Sequence, residues 1–182
     1  SSLYTLPFTQ NFDTFNTCPQ STNCGGTVCA LGGDWKNLSN GSSDNIDWRT
    51  NAGGTVSSGT GPSGGFGGSG RYLYLEASGG CEGQTAEMFS PCIDLSNTQA
   101  PELSFAYHMF GPSTGSLEVE LFDGNVWTTL FSKSGNQSAV WLTETISLSA
   151  YKGDTIILRI PQIRGMHDCP NNRQPAAKLS PL

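Results

Sequence analysis

From Tyr72 onward, apolar and polar residues alternate in short runs, and a helical apolar stripe appears nowhere. Leu103, Phe105, Tyr107 and Met109 alternate with Ser104, Ala106 and His108, the period-two pattern of a strand with one buried face. Leu117, Val119 and Leu121 alternate with Glu118 and Glu120 in the same way. Asp123-Gly124-Asn125 then supplies turn chemistry before the apolar run at residues 126–131, which predicts a hairpin. Further strands are expected over residues 71–76, 85–89, 140–148 and 155–163, with a turn at Lys152-Gly153-Asp154, and a first strand over residues 8–15. Short strands separated by Gly, Pro and Asn predict an all-β sandwich. Residues 16–71 are loop-rich and dense in glycine, and Cys18, Cys24 and Cys29 suggest that this segment is stapled. The polar, proline-containing stretch 166–182 has no strand pattern, so the sequence divides into a sandwich domain over 1–165 and a tail or linker over 166–182.

Composition sharpens the picture. A chain of 182 residues is one domain with or without tails and buries about 70% of its unfolded surface. Charged residues make up 13% and the net charge is −6, which argues against nucleic-acid binding, since that needs a basic face. The apolar runs are far shorter than the roughly 20 residues that cross a bilayer, so no membrane insertion is expected. The sequence opens Ser-Ser-Leu-Tyr without a leader pattern, as expected of a mature or excised fragment. Six cysteines, Cys18, Cys24, Cys29, Cys81, Cys92 and Cys169, form no C-x-x-C pair and read as disulfides of an extracellular chain. Three sequons, at Asn37, Asn40 and Asn136, fit a secreted chain, although a composition rich in Asn, Ser and Thr produces them by chance.

Several motifs invite a catalytic reading. Gly59, Gly61 and Gly64 spell G-x-G-x-x-G, but a dinucleotide loop needs a strand before it and a helix after it, and neither is predicted. Residues 61–65 spell the G-x-S-x-G of a nucleophile elbow, and residues 111–115 repeat it by chance. His108 and His167 are the only candidate bases, and neither has a spaced acidic partner; His108 reads as a strand residue on the face opposite Phe105 and Tyr107. Glu118 and Glu120 place two carboxylates on one strand face, as a β-sandwich glycosidase requires. The competing reading is the solvated face of an antiparallel strand.

The middle of the chain resembles the MAM family of extracellular domains, named for meprin, a neuropilin-type receptor and a receptor phosphatase. The resemblance is carried by Asp44-Asn45-Ile46-Asp47-Trp48, Ser58-Gly59-Thr60-Gly61-Pro62, Tyr72-Leu73-Tyr74-Leu75-Glu76, Glu82-Gly83-Gln84-Thr85-Ala86, Tyr107-His108-Met109-Phe110-Gly111 and Ser134-Gly135-Asn136-Gln137, in family order. It implies a jelly-roll-like sandwich of two antiparallel sheets without catalytic activity, in which residues 59–70 form a surface loop. Two departures stand out: the family's tight C-G-W is stretched here to Cys29 through Trp35, and after Gly165 the chain lacks the family's acidic last strand. Cys81 and Cys92 flank a predicted bend and strand and are the favoured pair, leaving three connectivities open for Cys18, Cys24, Cys29 and Cys169. The family's cation, Ca2+ or Na+, would fall to Asp13, Asp44 and Asp47 with backbone carbonyls completing the shell. The alternative is that these Asp residues cap turns.

The function expected from these readings is that of a non-catalytic recognition module of a larger secreted or surface protein. Its ligand would be a polysaccharide or an extracellular protein. Abundant Asn, Ser, Thr and Gly with few charges favour a bacterial module attached to an exported hydrolase, and so favour polysaccharide. Trp35, Trp127 and Trp141 are the candidate ligand platforms, because sugars are held on flat aromatic faces. The alternatives are an adhesive, homophilic module and a glycosidase that uses Glu118 and Glu120.

Overall fold

A computed structural model describes residues 2–20, 29–41, 44–76 and 80–160. The described residues form β-strands and two short 3-10 turns. In the larger sheet, β1 (Leu3–Thr5) pairs in parallel with β6 (Cys92–Asp94), and β6 pairs antiparallel with β11 (Thr155–Ile160). The β11 strand also pairs with β5 (Met88–Phe89) and with β8 (Ser116–Phe122). That sheet is completed by β2 (Lys36–Asn37) beside β5 and β9 (Trp127–Ser134) beside β8. Opposite it lie the antiparallel pair β7 (Glu102–Met109) and β10 (Ser138–Ser147), and a shorter pair, β3 (Arg49–Asn51) with β4 (Tyr72–Tyr74).

The alternating pattern becomes the sandwich interior. Tyr107 and Met109 of β7 meet Val119 of β8 and Phe131 of β9, with Leu142 and Ile146 of β10 packed against them. Phe131 stands edge-on to Phe105 and Tyr107, at 5.1 and 5.0 Å between ring centroids, the geometry that the aromatic quadrupole favours. The hairpin expected from the 117–131 pattern forms as β8 and β9. Its turn is held by Asp123 Oδ1, which accepts the backbone N–H groups of Asn125 and Val126 at 2.8 and 2.9 Å.

The first strand does not lie where the pattern placed it. Residues 8–15 form no strand, and the backbone of Phe12 turns left-handed with φ of 64°. Phe8, Phe12 and Phe15 instead pack on a cluster with Trp35, Ile46, Trp48 and Met88, so aromatic spacing here reports burial without a hydrogen-bond ladder. The amino-terminal strand is Leu3–Thr5, which pairs with β6 on the side away from β11. Cys18 and Cys29 are bonded to each other, closing the amino-terminal loop. Cys81 and Cys92 are each disulfide-bonded and pack in different clusters, one beside Trp48 and Met88 and the other beside Phe89 and Ile157. Cys24, Cys169, His167 and the 166–182 tail lie outside the described residues.

Candidate functional site

Strand β4, strand β7, strand β10 and the glycine-rich loop each deliver one aromatic ring to a common row. Trp141 on β10 is its centre. Its ring meets Tyr72 of β4 at 5.8 Å, His108 of β7 at 5.5 Å and Phe66 of the loop at 6.3 Å, all edge-on. Trp141 Nε1–H donates to the backbone carbonyl of Gly64 at 3.0 Å, which fastens the loop to the sheet across 77 residues of sequence. Beyond His108 the row ends at Phe110, 6.4 Å away. Both ends are bare: Phe66 is 57% exposed and Phe110 is 37% exposed.

The loop that carries Phe66 is built from backbone approaches that need glycine. A Cβ on Gly65 would collide with the carbonyl oxygens of Ser69 and Gly70, and a Cβ on Gly111 would lie 2.7 Å from Thr60 Cγ2. Gly61 N–H donates to Phe110 O at 3.3 Å, so the loop and the segment after β7 are held side by side. Where the loop ends, Arg71 N–H donates to Asp13 Oδ1 at 2.7 Å and Arg71 Nη1 to Thr17 at 2.6 Å. Glycine in this run therefore serves close packing and turning rather than phosphate binding. Next to Phe110 lies a hollow of about 270 Å³ lined by Phe110, Gly111, Pro112 and Asn136.

The three tryptophans singled out from sequence have different fates. Trp141 is half-buried within the row, where its ring stands at steep angles to those of Tyr72, His108 and Phe66. Trp35 is a core residue, 7% exposed and edge-on to Phe12, and presents no platform. Trp127 packs against Phe89 and Phe122, and the Arg159 guanidinium covers its ring at 4.1 Å. The exposed members, Phe66 and Phe110, were missed. The available signal was an aromatic residue among glycines, where no strand pattern could bury it.

The carboxylates separate in the same way. Asp13 is exposed and spent on Arg71 N–H and Asn11 Nδ2, the latter at 3.0 Å, so it does not join the other two candidate ion ligands. Asp44 is fully buried. Its Oδ2 accepts Glu87 N–H at 3.0 Å, while its Oδ1 has no hydrogen-bond partner among the described residues. Asp47, 4% exposed, accepts Cys29 N–H at 3.3 Å and a hydrogen bond from Asn40. Burial pushes both carboxyls above the ordinary range, and the charge of Asp47 adds to the effect on Asp44. A bare, buried carboxylate oxygen beside a second carboxylate fits a hard cation. Among the described residues no group of three His, Cys, Asp or Glu side chains is arranged to hold a metal, so carbonyl oxygens would have to supply the rest of any shell.

Glu120, one of the two carboxylates of the candidate catalytic pair, is engaged by Arg159. Arg159 Nε and Nη2 both reach Glu120 Oε2, at 2.7 and 2.6 Å, and Nη1 lies 3.8 Å from Glu87 Oε2. Glu118 accepts the Ser132 hydroxyl at 3.2 Å. With two guanidinium nitrogens on one oxygen, Glu120 makes a structural ion pair with the neighbouring strand β11.

A β-sandwich with exposed aromatics beside a glycine-rich loop, and with Glu120 and Glu87 held by Arg159, has the form of a recognition module. The family model of the MAM domain (meprin/A5/mu) matches residues 14–162, and the chain belongs to that family. It is 37% identical to MAM domain-containing protein 2 of Homo sapiens over 123 residues, which is 65% of this chain and 17% of that protein. It is 34% identical to thyroid hormone-induced protein B of Xenopus laevis over 124 residues, again 65% of this chain and 17% of that protein. Neuropilin-1a of Danio rerio is 34% identical over 99 residues, 52% of this chain and 11% of that protein. The chain thus spans less than a fifth of each of these relatives. MAM domains are non-catalytic extracellular recognition and adhesion modules of larger proteins. The bacterial setting suggested by composition finds no support, since these relatives are animal proteins.

Proposed function

We propose that this domain is the ligand-binding module of a larger secreted or cell-surface protein and that it binds an extracellular protein through the Phe66–Trp141–Phe110 row. The observation that carries this reading is the pair of exposed aromatic rings at the two ends of a row whose middle is pinned by the Trp141–Gly64 bond. Aromatic anchors on a preorganised backbone are the usual source of affinity at protein interfaces. A glycan ligand is the second reading. The row offers two exposed phenyl groups and a half-buried indole rather than an open indole face, and the bacterial setting that favoured polysaccharide finds no support among the relatives, so protein is preferred.

The domain's cation reading rests on the Asp44–Asp47 pair. A Ca2+ or Na+ ion there would be held by Asp44 Oδ1, Asp47 and backbone carbonyls, and would neutralise two buried carboxylates, the charge of one of which acts on the other. Its role would be structural, fastening the 44–47 segment to the strand region around Glu87.

The test is binding of a fluorescent tetramer of the domain to cultured animal cells, before and after the cells are treated with protease or with glycosidases. Loss after protease, and with Phe66→Ala, is the expected result. Loss after glycosidase alone would transfer the reading to a glycan, and full binding by the Phe66→Ala/Phe110→Ala double variant would remove this face from recognition altogether.

A further inference from the structure

The three sequons are not equivalent in the fold. Asn37 uses its whole amide: Nδ2 donates to the carbonyls of Cys29 and Trp48, both at 3.0 Å, and Oδ1 accepts Trp48 N–H at 3.1 Å. A sugar on Asn37 would replace one of those hydrogens and break a bond that holds the disulfide segment to β3. Asn40 is exposed but hydrogen-bonded to the buried Asp47. Asn136 is exposed in the turn between β9 and β10, and its side-chain bond runs through oxygen: Gly111 N–H donates to Oδ1 at 3.2 Å. Its Nδ2 has no partner among the described residues. Because an N-linked sugar replaces a hydrogen on Nδ2 and leaves Oδ1 untouched, the Gly111 clamp and a glycan are compatible. The turn itself is fixed by Gly135 N–H to Gly115 O at 2.9 Å and Gln137 N–H to Met109 O at 2.8 Å.

We propose that Asn136 is an N-glycosylation site and that the first N-acetylhexosamine of its glycan seats in the hollow formed by Phe110, Gly111 and Pro112. The hollow, about 270 Å³, borders Asn136 itself. It falls just below the ~300–1,000 Å³ of pockets for drug-sized ligands and suits one sugar ring, whose C–H face would cover the exposed Phe110 ring. In the transfer, Asn136 Nδ2 forms a bond to C1 of a polyprenyl-diphosphate-linked oligosaccharide. The C1–O bond to the diphosphate breaks, the lipid diphosphate leaves, and the amide loses one proton, with no change of oxidation state. The inference rests on the extracellular reading above, since only an exported chain meets that donor. A glycan on Asn136 would also place the Phe110 end of the row under sugar and direct a protein partner to the Phe66 end.

The experiment sends the full chain through the secretory pathway of cultured animal cells behind an added signal peptide, so its outcome is independent of the recognition reading. Intact mass and peptide mapping are read on both medium and cell lysate, before and after peptide-N-glycosidase, which leaves Asp at the modified position. The expected result is a glycan at residue 136 that is lost in Asn136→Gln and Ser138→Ala, retained in Ser138→Thr, and unaffected by Asn37→Gln. Ser138→Ala leaves the Gly111–Asn136 clamp in place, so it separates loss of the sequon from misfolding. Phe110→Ala should keep the glycan but abolish the difference in Tm between the glycosylated and enzyme-treated domain. A wild-type chain without sugar on Asn136 in both fractions would overturn the site, and an unchanged Tm difference in Phe110→Ala would overturn the seat.

Discussion

Replacing Glu120 with Gln tests whether the Arg159 ion pair is a buried structural element. The Glu120 side chain is 12% exposed and that of Arg159 6% exposed, and two guanidinium nitrogens converge on one carboxylate oxygen. Glutamine preserves shape and keeps one oxygen to accept Arg159 Nε–H, but removes the charge. Removing one partner of a buried pair outright costs about 3–5 kcal/mol, and hydrogen bonds to charged groups are worth about 1.5–3 kcal/mol. With one neutral hydrogen bond retained and Glu87 still 3.8 Å from Nη1, the expected loss is about 2 kcal/mol. At about 2–4 °C per kcal/mol for a domain of this size, Tm should fall by about 4–8 °C. Arg159→Met should cost more, because it withdraws the cation from both carboxylates and uncovers Trp127. Urea unfolding at neutral pH gives the free energy, and repeating it in high salt shows whether the pair is screened. A loss within about 0.5 kcal/mol of zero, or one that disappears in salt, would refute the reasoning, because the pair would then behave as a solvated surface contact.

Calcium added to the EDTA-treated domain should raise Tm, and Asp44→Asn should abolish the increment, whereas Asp13→Asn should keep it because Asp13 closes the glycine loop instead. Trp141→Phe should lose the bond to Gly64 O, costing about 0.5–1.5 kcal/mol, and should speed amide exchange in residues 59–70 while the β7–β10 ladder keeps its protection. Asp123 supplies a pH test. Its pKa is lowered, first by the Val126 N–H bond, so the fold favours the ionised form and the benefit is complete above the unfolded value of about 4 and fades as pH falls through the folded one. Asp123→Asn should therefore show a flatter loss of stability toward acid in urea midpoints; a slope equal to wild type would remove Asp123 from the acid response.

The strands from residue 102 onward were legible because alternation is a local property. Leu103 to Met109, Leu117 to Leu121 and the Asp123-Gly124-Asn125 turn each carry within a few residues the information that sets face and direction. The disulfide chemistry of the chain and its family were legible too, the latter from motifs whose order survives loop variation. The absence of enzymatic chemistry was also legible, because the catalytic-looking motifs lacked the flanking elements that would make them work.

What the tertiary structure alone decided concerns partners far apart in sequence. Periodicity says that Trp141 has a face but not that Gly64 accepts its N–H, that Phe12 turns left-handed within an aromatic run, or that Asp13 meets Arg71 across 58 residues. The same holds for the three tryptophans: one became core, one lies under Arg159 and one anchors a loop, according to what the sheet and loops brought against each ring. Composition and spacing fix which side chains can bury surface or carry charge. Which of them remain bare at the surface, as Phe66 and Phe110 do, is set by packing, because burial depends on the neighbours that the closed fold supplies.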